Sequence, residues 1–382
     1  IWAQYHSHNR LSIWILATFC TFVLSMYFIT GSENAHRNLY YIATLAPFVT
    51  FVAWRPEFLR MLGRSRIMLL SLILSSIAIS SVLYSGNYDN IFEDMYDAIR
   101  YGFLVLTFLA IFAYFSAINS SYPAIIVGVL ACASALSGLY FTSIYFQEIG
   151  GIEIGSRMHG TLAYASNPVG IAEMYAVGAL SALGLLSRAS RWRYRLLWGA
   201  CFAASVLPMV LSQSRAPLLA LVLAAVALLA LQRRWKAIGA LMGVALAIGT
   251  AFTVFDVGYR NISNTSSLLT RVEIWKVALS DIRENIFLGI GWLDPGDLSE
   301  PVKGKFRNVH NIYLSVLLQG GLLGFIIFSA LVAYGLYVGA RSVNAGAEFA
   351  TAFAILAFTI IDFVGARGSG PMQIRALILP YF

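Results

Sequence analysis

Eleven apolar runs, separated mostly by short polar loops, follow one another along the 382 residues of this chain. They lie near 11–29, 39–54, 67–84, 101–118, 122–146, 168–187, 195–211, 216–232, 236–256, 310–340 and 347–365, and a twelfth is expected to open at Ala376. A bilayer-spanning helix needs about 20 such residues. The first run is long enough to span, so no cleavable signal peptide is expected. The chain is 59% apolar and 12% charged, with mean hydropathy +0.74; a soluble domain carries about 25% charged residues. The expected fold is therefore an all-α polytopic membrane protein of about 12 transmembrane helices. The net charge of +8 does not point to nucleic acid, because the cations cluster in short loops between apolar runs. Cys20, Cys132 and Cys201 all fall inside apolar runs and share no motif spacing, so they read as small core residues.

The basic loops alternate. Arg55, Arg60, Arg64 and Arg66 lie in the second; Arg188, Arg191, Arg193 and Arg195 in the sixth; Arg233, Arg234 and Lys236 in the eighth; Arg341 in the tenth. The odd loops are poor in Lys and Arg, and the third carries Asp89, Glu93, Asp94 and Asp97. The even loops and the N-terminus are thus expected to be cytoplasmic. Three regions follow: a bundle over 1–256, a large outer loop over 257–309, and a C-terminal group of helices over 310–382. Inside the loop, Thr270 and Glu273 have capping-box spacing. Val272, Trp275, Leu279, Ile282 and Ile286 then form an apolar stripe, which predicts an amphipathic helix near 271–286 at the membrane surface or over the bundle mouth.

Chemistry concentrates on the outer side. Glu173, Arg215, His310 and Asp362 stand at the outer ends of their runs, where ionisable groups face a cavity, a partner or the wet headgroup layer. Arg271 would stand in the first helical turn, which the dipole makes unfavourable for a cation. Free N–H groups and a guanidinium converging there suit a phosphate; pairing with the acidic third loop is the competing reading. Arg215 repeats the pattern ahead of Pro217, with a headgroup anchor as its alternative. His310 is a candidate general base, flanked by Arg307 and Asn311. Arg157 and His159 lie in the fifth loop, and Pro168 is expected to open the sixth run. Gly320 and Gly324 form a G-x-x-x-G pair, which ordinarily means close helix packing. Asp294 and Asp297 read as a turn and not as a metal site. No P-loop, dinucleotide fingerprint, H-E-x-x-H or serine elbow is present.

These residues resemble a known family. His310-Asn311, nine residues, then Gly321-x-x-Gly324 is similar to the signature of O-antigen ligases. Ser212-Gln-Ser-Arg215, Arg271-x-x-x-Trp275, Gly289-x-Gly291, and Arg157-x-x-Gly160 with Asn167-Pro168 fit in the same order. The superfamily also holds O-antigen polymerases and some O-linked oligosaccharyltransferases. The resemblance implies a C-type glycosyltransferase-like fold in the bacterial inner membrane, with the active site facing the periplasm. It implies transfer of a glycan from undecaprenyl diphosphate to a sugar hydroxyl of lipid A-core, inverting, with no cofactor or metal. Arg215 and Arg271 would bind the donor diphosphate and His310 would act on the acceptor hydroxyl. Asn311, Arg157, His159, Glu173, Arg307 and Asp362 would support them. Outside the inner membrane no nucleotide pool exists, so a donor must carry its own activation, as a lipid diphosphate does. A polymerase is the nearest alternative. A transporter is further off, since its ionisable groups would sit near the bilayer midplane.

Overall fold

The computed structural model describes residues 9–28, 38–53, 56–84, 91–119, 121–148, 158, 168–254, 266–291, 309 and 311–362. Every element among them is helical. The chain runs through α1 (Asn9–Phe28), a π-helical segment (Tyr40–Leu45) continuing into α2 (Ala46–Ala53), α3 (Pro56–Gly63) and α4 (Arg66–Val82). Then come α5 (Ile91–Ile118), α6 (Ser121–Glu148), α7 (Pro168–Arg188), α8 (Trp192–Leu211), α9 (Arg215–Leu231) and α10 (Trp235–Val254). The loop helix α11 (Ser266–Glu284) precedes α12 (Ile312–Ser342) and α13 (Ala347–Asp362). Local chemistry sets several starts. Ser65 caps α4 by accepting from the Met68 N–H at 3.4 Å. Pro168 is the first residue of α7, where its missing N–H is no loss.

Each expected run contains a helix, but the expected count of twelve spans is not reached. Among the described residues, α5, α6, α7, α8 and α12 are long and apolar enough to cross a membrane. The pair α3–α4, bent by 76°, makes a sixth if it is one broken span. Two helices are short: α9 has 17 residues and α13 has 16, below the about 20 needed for a straight crossing. The residues after 362, with the run expected from Ala376, lie outside the described residues.

At the centre is α7, packed against α6, α8, α9 and α13. Ile171, Ala172, Tyr175, Ala176, Ala179, Leu180 and Ala182 are all 0–1% exposed. Small residues let the backbones approach: a Cβ on Gly138 of α6 would stand 2.7 Å from the Ala204 carbonyl of α8. A second packed cluster joins α4, α5 and α12 through Leu74, Ala78, Val82, Ala98, Ile312, Val316 and Phe328. The helix directions gather two kinds of end. At one, here the site end, α7, α9 and α12 begin and α8 and α13 stop, bringing Glu173, Arg215, Asn311 and Asp362 to the same end of the bundle. The opposite end carries Arg188, Arg191, Arg193, Arg195, Arg233, Arg234, Lys236 and Arg341.

Candidate functional site

The site end is organised by a break in α12. The helix has 31 residues, about 46 Å at 1.5 Å per residue, against a hydrocarbon core of about 30 Å. Gly321 interrupts it with φ 58 and ψ −162. Residues 322–342 alone give about 31 Å, the length of one bilayer crossing. The break strands backbone groups, and the segment after α11 meets them. Ile290 and Gly291 N–H donate to the Leu318 and Gln319 carbonyls at 2.8 and 3.1 Å. Leu322 and Leu323 N–H donate to Ile286 and Phe287 carbonyls at 2.8 and 3.3 Å. The Tyr84 hydroxyl, just past α4, donates to Leu288 O at 2.9 Å.

This clasp corrects the glycine reading. A Cβ on Gly320 would meet Ile77 at 3.9 Å, and one on Gly324 would meet Ile77 and the Val316 carbonyl at 3.9 Å, which is ordinary contact. The close approach is at Gly321 and Gly289 instead. A Cβ on Gly321 would run into the Phe287 carbonyl, and one on Gly289 (φ 72) into the Leu318 and Gln319 backbone. Only glycine adopts such dihedrals without strain at so close an approach.

α11 differs from expectation in two ways. It begins at Ser266, so Thr270 is not its N-cap and Arg271 stands in the second turn, away from the helix terminus. The dipole argument for Arg271 therefore falls. Its packed face is also offset. Ile274, Ala278 and Ile282 are the buried residues, against Val309 and Leu318, with Leu314 and Leu317 beside them. Val272, Leu279 and Ile286, placed in the expected stripe, are 36%, 43% and 45% exposed. Trp275 is half-buried, and its indole N–H donates to the Val309 carbonyl at 3.0 Å. Asn311 in turn caps α12, its Oδ1 accepting from Leu314 N–H at 3.2 Å. The residues on either side of His310 are thus held, one by α11 and one by α12.

Arg271 stands one turn before Trp275 and so shares its helix face. It comes within electrostatic range of Asp362, the last residue of α13. Asp362 is 5% exposed, and its carboxyl lies in hydrogen-bonding reach of Glu173, near the start of the central helix α7. Its Oδ1 accepts no hydrogen bond among the described residues. Two carboxyl groups this close are tolerated only with a shared proton or a cation beside them. Arg271 is the cation that comes within electrostatic range of them. Both acids were read from the sequence as outer-end charges; their meeting needed the packing of α13 against α7.

Arg215 is reached by a different route. The α8–α9 turn runs Ser212-Gln213-Ser214, with Gln213 left-handed at φ 52. Ser212 Oγ accepts from Ser214 N–H at 3.3 Å and donates to Met209 O at 2.6 Å. Arg215 is then the first residue of α9 and is exposed. The fifth loop touches this turn: buried Met158 donates its N–H to Leu211 O at 3.1 Å. Arg157, His159, Arg307 and His310 lie outside the described residues, as do Asp294 and Asp297. Among the described residues no three His, Cys, Asp or Glu side chains gather as a metal site. The three cysteines are unpaired.

The fold and this end define a polytopic helical membrane protein whose polar groups converge beside a broken helix. A sequence profile of the O-antigen ligase family matches residues 199–329, a window that contains Arg215, Arg271, Asn311 and both clasp glycines. The chain is also similar to an O-antigen ligase of Pseudomonas aeruginosa, 28% identical over 342 residues, or 86% of this chain and 79% of that relative. The two matches support membership of the O-antigen ligase family.

Proposed function

We propose that this chain is a glycosyltransferase of lipopolysaccharide biosynthesis. It transfers O-antigen polysaccharide from undecaprenyl diphosphate to a sugar hydroxyl of lipid A-core, at the periplasmic face of the bacterial inner membrane, without a metal. The observation that carries this reading is Arg271, delivered by α11 to buried Asp362 at the same bundle end as Arg215 and Asn311. The basic loops at the opposite end are the basis for orienting the site outward.

In this reaction the acceptor oxygen attacks the anomeric carbon of the donor sugar from the face opposite the diphosphate. The new C–O bond forms as the bond to the diphosphate oxygen breaks, which inverts the centre. His310 takes the hydroxyl proton, a role that contributes about 10² to 10⁴ in rate. Undecaprenyl diphosphate leaves with an added negative charge, and Arg271 and Arg215 offset it, contributing about 10² to 10³. Glu173 and Asp362 are positioning residues here: they hold the Arg271 guanidinium toward the leaving group and do not touch it.

The test is ligation in vitro with purified protein, undecaprenyl-diphosphate-linked glycan and lipid A-core, in EDTA. Wild type is expected to make glycosylated lipid A-core, while His310→Ala, Arg215→Ala and Arg271→Ala fold and are slowed, Arg215→Ala the least. Extension of a lipid-linked glycan with no product on lipid A-core would make the chain a polymerase, the second reading open within the superfamily. Full activity of His310→Ala would place the base elsewhere.

A further inference from the structure

The bundle end opposite the site repeats a short pattern that this mechanism does not use. Arg191-Trp192-Arg193 lies where α8 opens, and Arg234-Trp235-Lys236 where α10 opens. Each tryptophan stands between two cations, and the two are 66% and 68% exposed. Arg191, Arg193, Arg233 and Lys236 are exposed as well. The chain has no Asp or Glu from 174 to 255, and none of these four cations forms an ion pair among the described residues. So many like charges side by side call for an anion from outside the chain.

The α7–α8 and α9–α10 turns are tied together. Arg234 Nη2 donates to the Ser187 carbonyl near the end of α7, and Gln232 Nε2 donates to Ser187 Oγ at 3.1 Å. Arg195 Nε donates to the Ala189 carbonyl at 3.0 Å. Arg234 and Arg195 thus serve the end of α7, where the helix dipole favours cations. The α9–α10 turn itself is a Schellman motif: Arg233 N–H donates to Ala230 O at 2.9 Å and Arg234 N–H to Leu229 O at 2.8 Å. Its left-handed residue is Arg233, at φ 56. Glycine takes that position without steric cost and arginine does not. An exposed cation is held there against backbone strain, as happens at ligand sites. Both α7 and α8 are long and apolar enough to cross a membrane. The turn joining them therefore lies at the headgroup layer, and the Ser187 bonds keep the α9–α10 turn beside it.

We infer that these two tied turns form one binding site for an anionic phospholipid whose headgroup carries two phosphates, one phosphate to each turn. Arg191 and Arg193 offer their forks to the first phosphate. Arg233 and Lys236 meet the second. Trp192 and Trp235 lie against the glycerol and the upper acyl chains, as indole rings do at membrane interfaces. Loop cations that only set orientation need neither the repeated triplet nor a strained arginine. The site stands at the far end of the bundle from Arg215 and Asp362, so it does not depend on the transfer reaction.

The experiment is native mass spectrometry of the full-length chain in detergent, titrated separately with cardiolipin, phosphatidylglycerol and phosphatidylethanolamine. Wild type is expected to hold cardiolipin, with its two phosphates, about 10-fold more tightly than phosphatidylglycerol, and phosphatidylethanolamine least. Arg191→Gln/Arg193→Gln and Arg233→Gln/Lys236→Gln should each weaken cardiolipin about 10- to 30-fold, the effect of two interfacial cations. Arg60→Gln/Arg64→Gln removes two exposed cations in and just after α3 and serves as the control for net charge; it should bind cardiolipin as wild type does. Arg233→Gly removes the strain together with the charge. It should melt no lower than wild type without lipid, yet hold cardiolipin less tightly. Cardiolipin bound no better than phosphatidylglycerol overturns the two-phosphate site. A control that loses as much as either double variant reduces the effect to net charge and overturns it too. Unchanged cardiolipin affinity in Arg233→Gly makes that arginine a turn residue only and removes the second half of the site.

Discussion

Arg215 and Arg271 serve the same proposed role and are positioned by opposite means. Arg215 is set locally: a three-residue turn with Gln213 at φ 52 ends one helix, and the arginine starts the next, exposed. Arg271 is set by tertiary packing: a half-buried residue on α11, beside Asp362, on a helix seated against α12 by the Gly289–Gly321 clasp. A cation fixed by a turn can be removed without cost to the fold. A cation that compensates a buried acid cannot.

The sharpest separation of the two is at Arg271. Arg271→Ala should lower kcat/KM for transfer about 10²- to 10³-fold. It should also lower thermal stability, because the Asp362–Glu173 pair loses its cation; leaving such a buried group uncompensated costs about 1–3 kcal/mol. Asp362→Asn added to Arg271→Ala should restore the melting temperature and leave activity lost. If Arg271→Ala melts like wild type, the acids do not depend on it, and the contrast with Arg215 collapses.

A smaller effect is expected at Arg215. Arg215→Ala should lower kcat/KM about 10- to 10²-fold, because one of two cations remains. Its stability should stay within about 0.5 kcal/mol of wild type, as for most exposed sites. A melting temperature that falls as far as that of Arg271→Ala would mean the turn is a packing element after all.

The same contrast explains what was legible in the sequence. Hydropathy and loop charge are local, so all eleven apolar runs contain helices and the basic loops fall at one end. Arg215 was legible for the same reason: Ser-Gln-Ser before Arg-Ala-Pro marks a helix start on its own. α11 was harder. Thr270 and Glu273 satisfy a capping pattern that the helix simply runs through from Ser266. The apolar stripe misled because α11 has apolar residues on two faces. One packs on α12; the other, with Val272 and Leu279, is exposed. Periodicity reports apolar residues and not what covers them. The clasp was illegible because Gly320 and Gly321 each form a small-residue spacing with Gly324, and the partner of Gly321 is 32 residues earlier, at Gly289. Nothing local says which glycine turns.

The smallest predicted effect probes the tether that joins the two kinds of positioning. Trp275→Phe keeps an aromatic ring beside the Ile274–Ala278–Ile282 cluster and removes only the N–H that donates to the Val309 carbonyl. Stability should fall by about 1 kcal/mol, the net value of one hydrogen bond. If the tether only held the fold together, activity measured well below the melting temperature would be untouched. The proposed geometry demands more. Val309 directly precedes His310, and Arg271 is one turn from Trp275 on the same helix, so this bond sets the spacing between base and leaving-group cation. A loosened spacing slows the chemical step without weakening the hold on either substrate. Steady-state kinetics on Trp275→Phe should therefore show kcat reduced about 5- to 10-fold with both KM values near wild type. A wild-type kcat would confine Trp275 to packing and leave the distance between Arg271 and residue 310 set by the clasp alone.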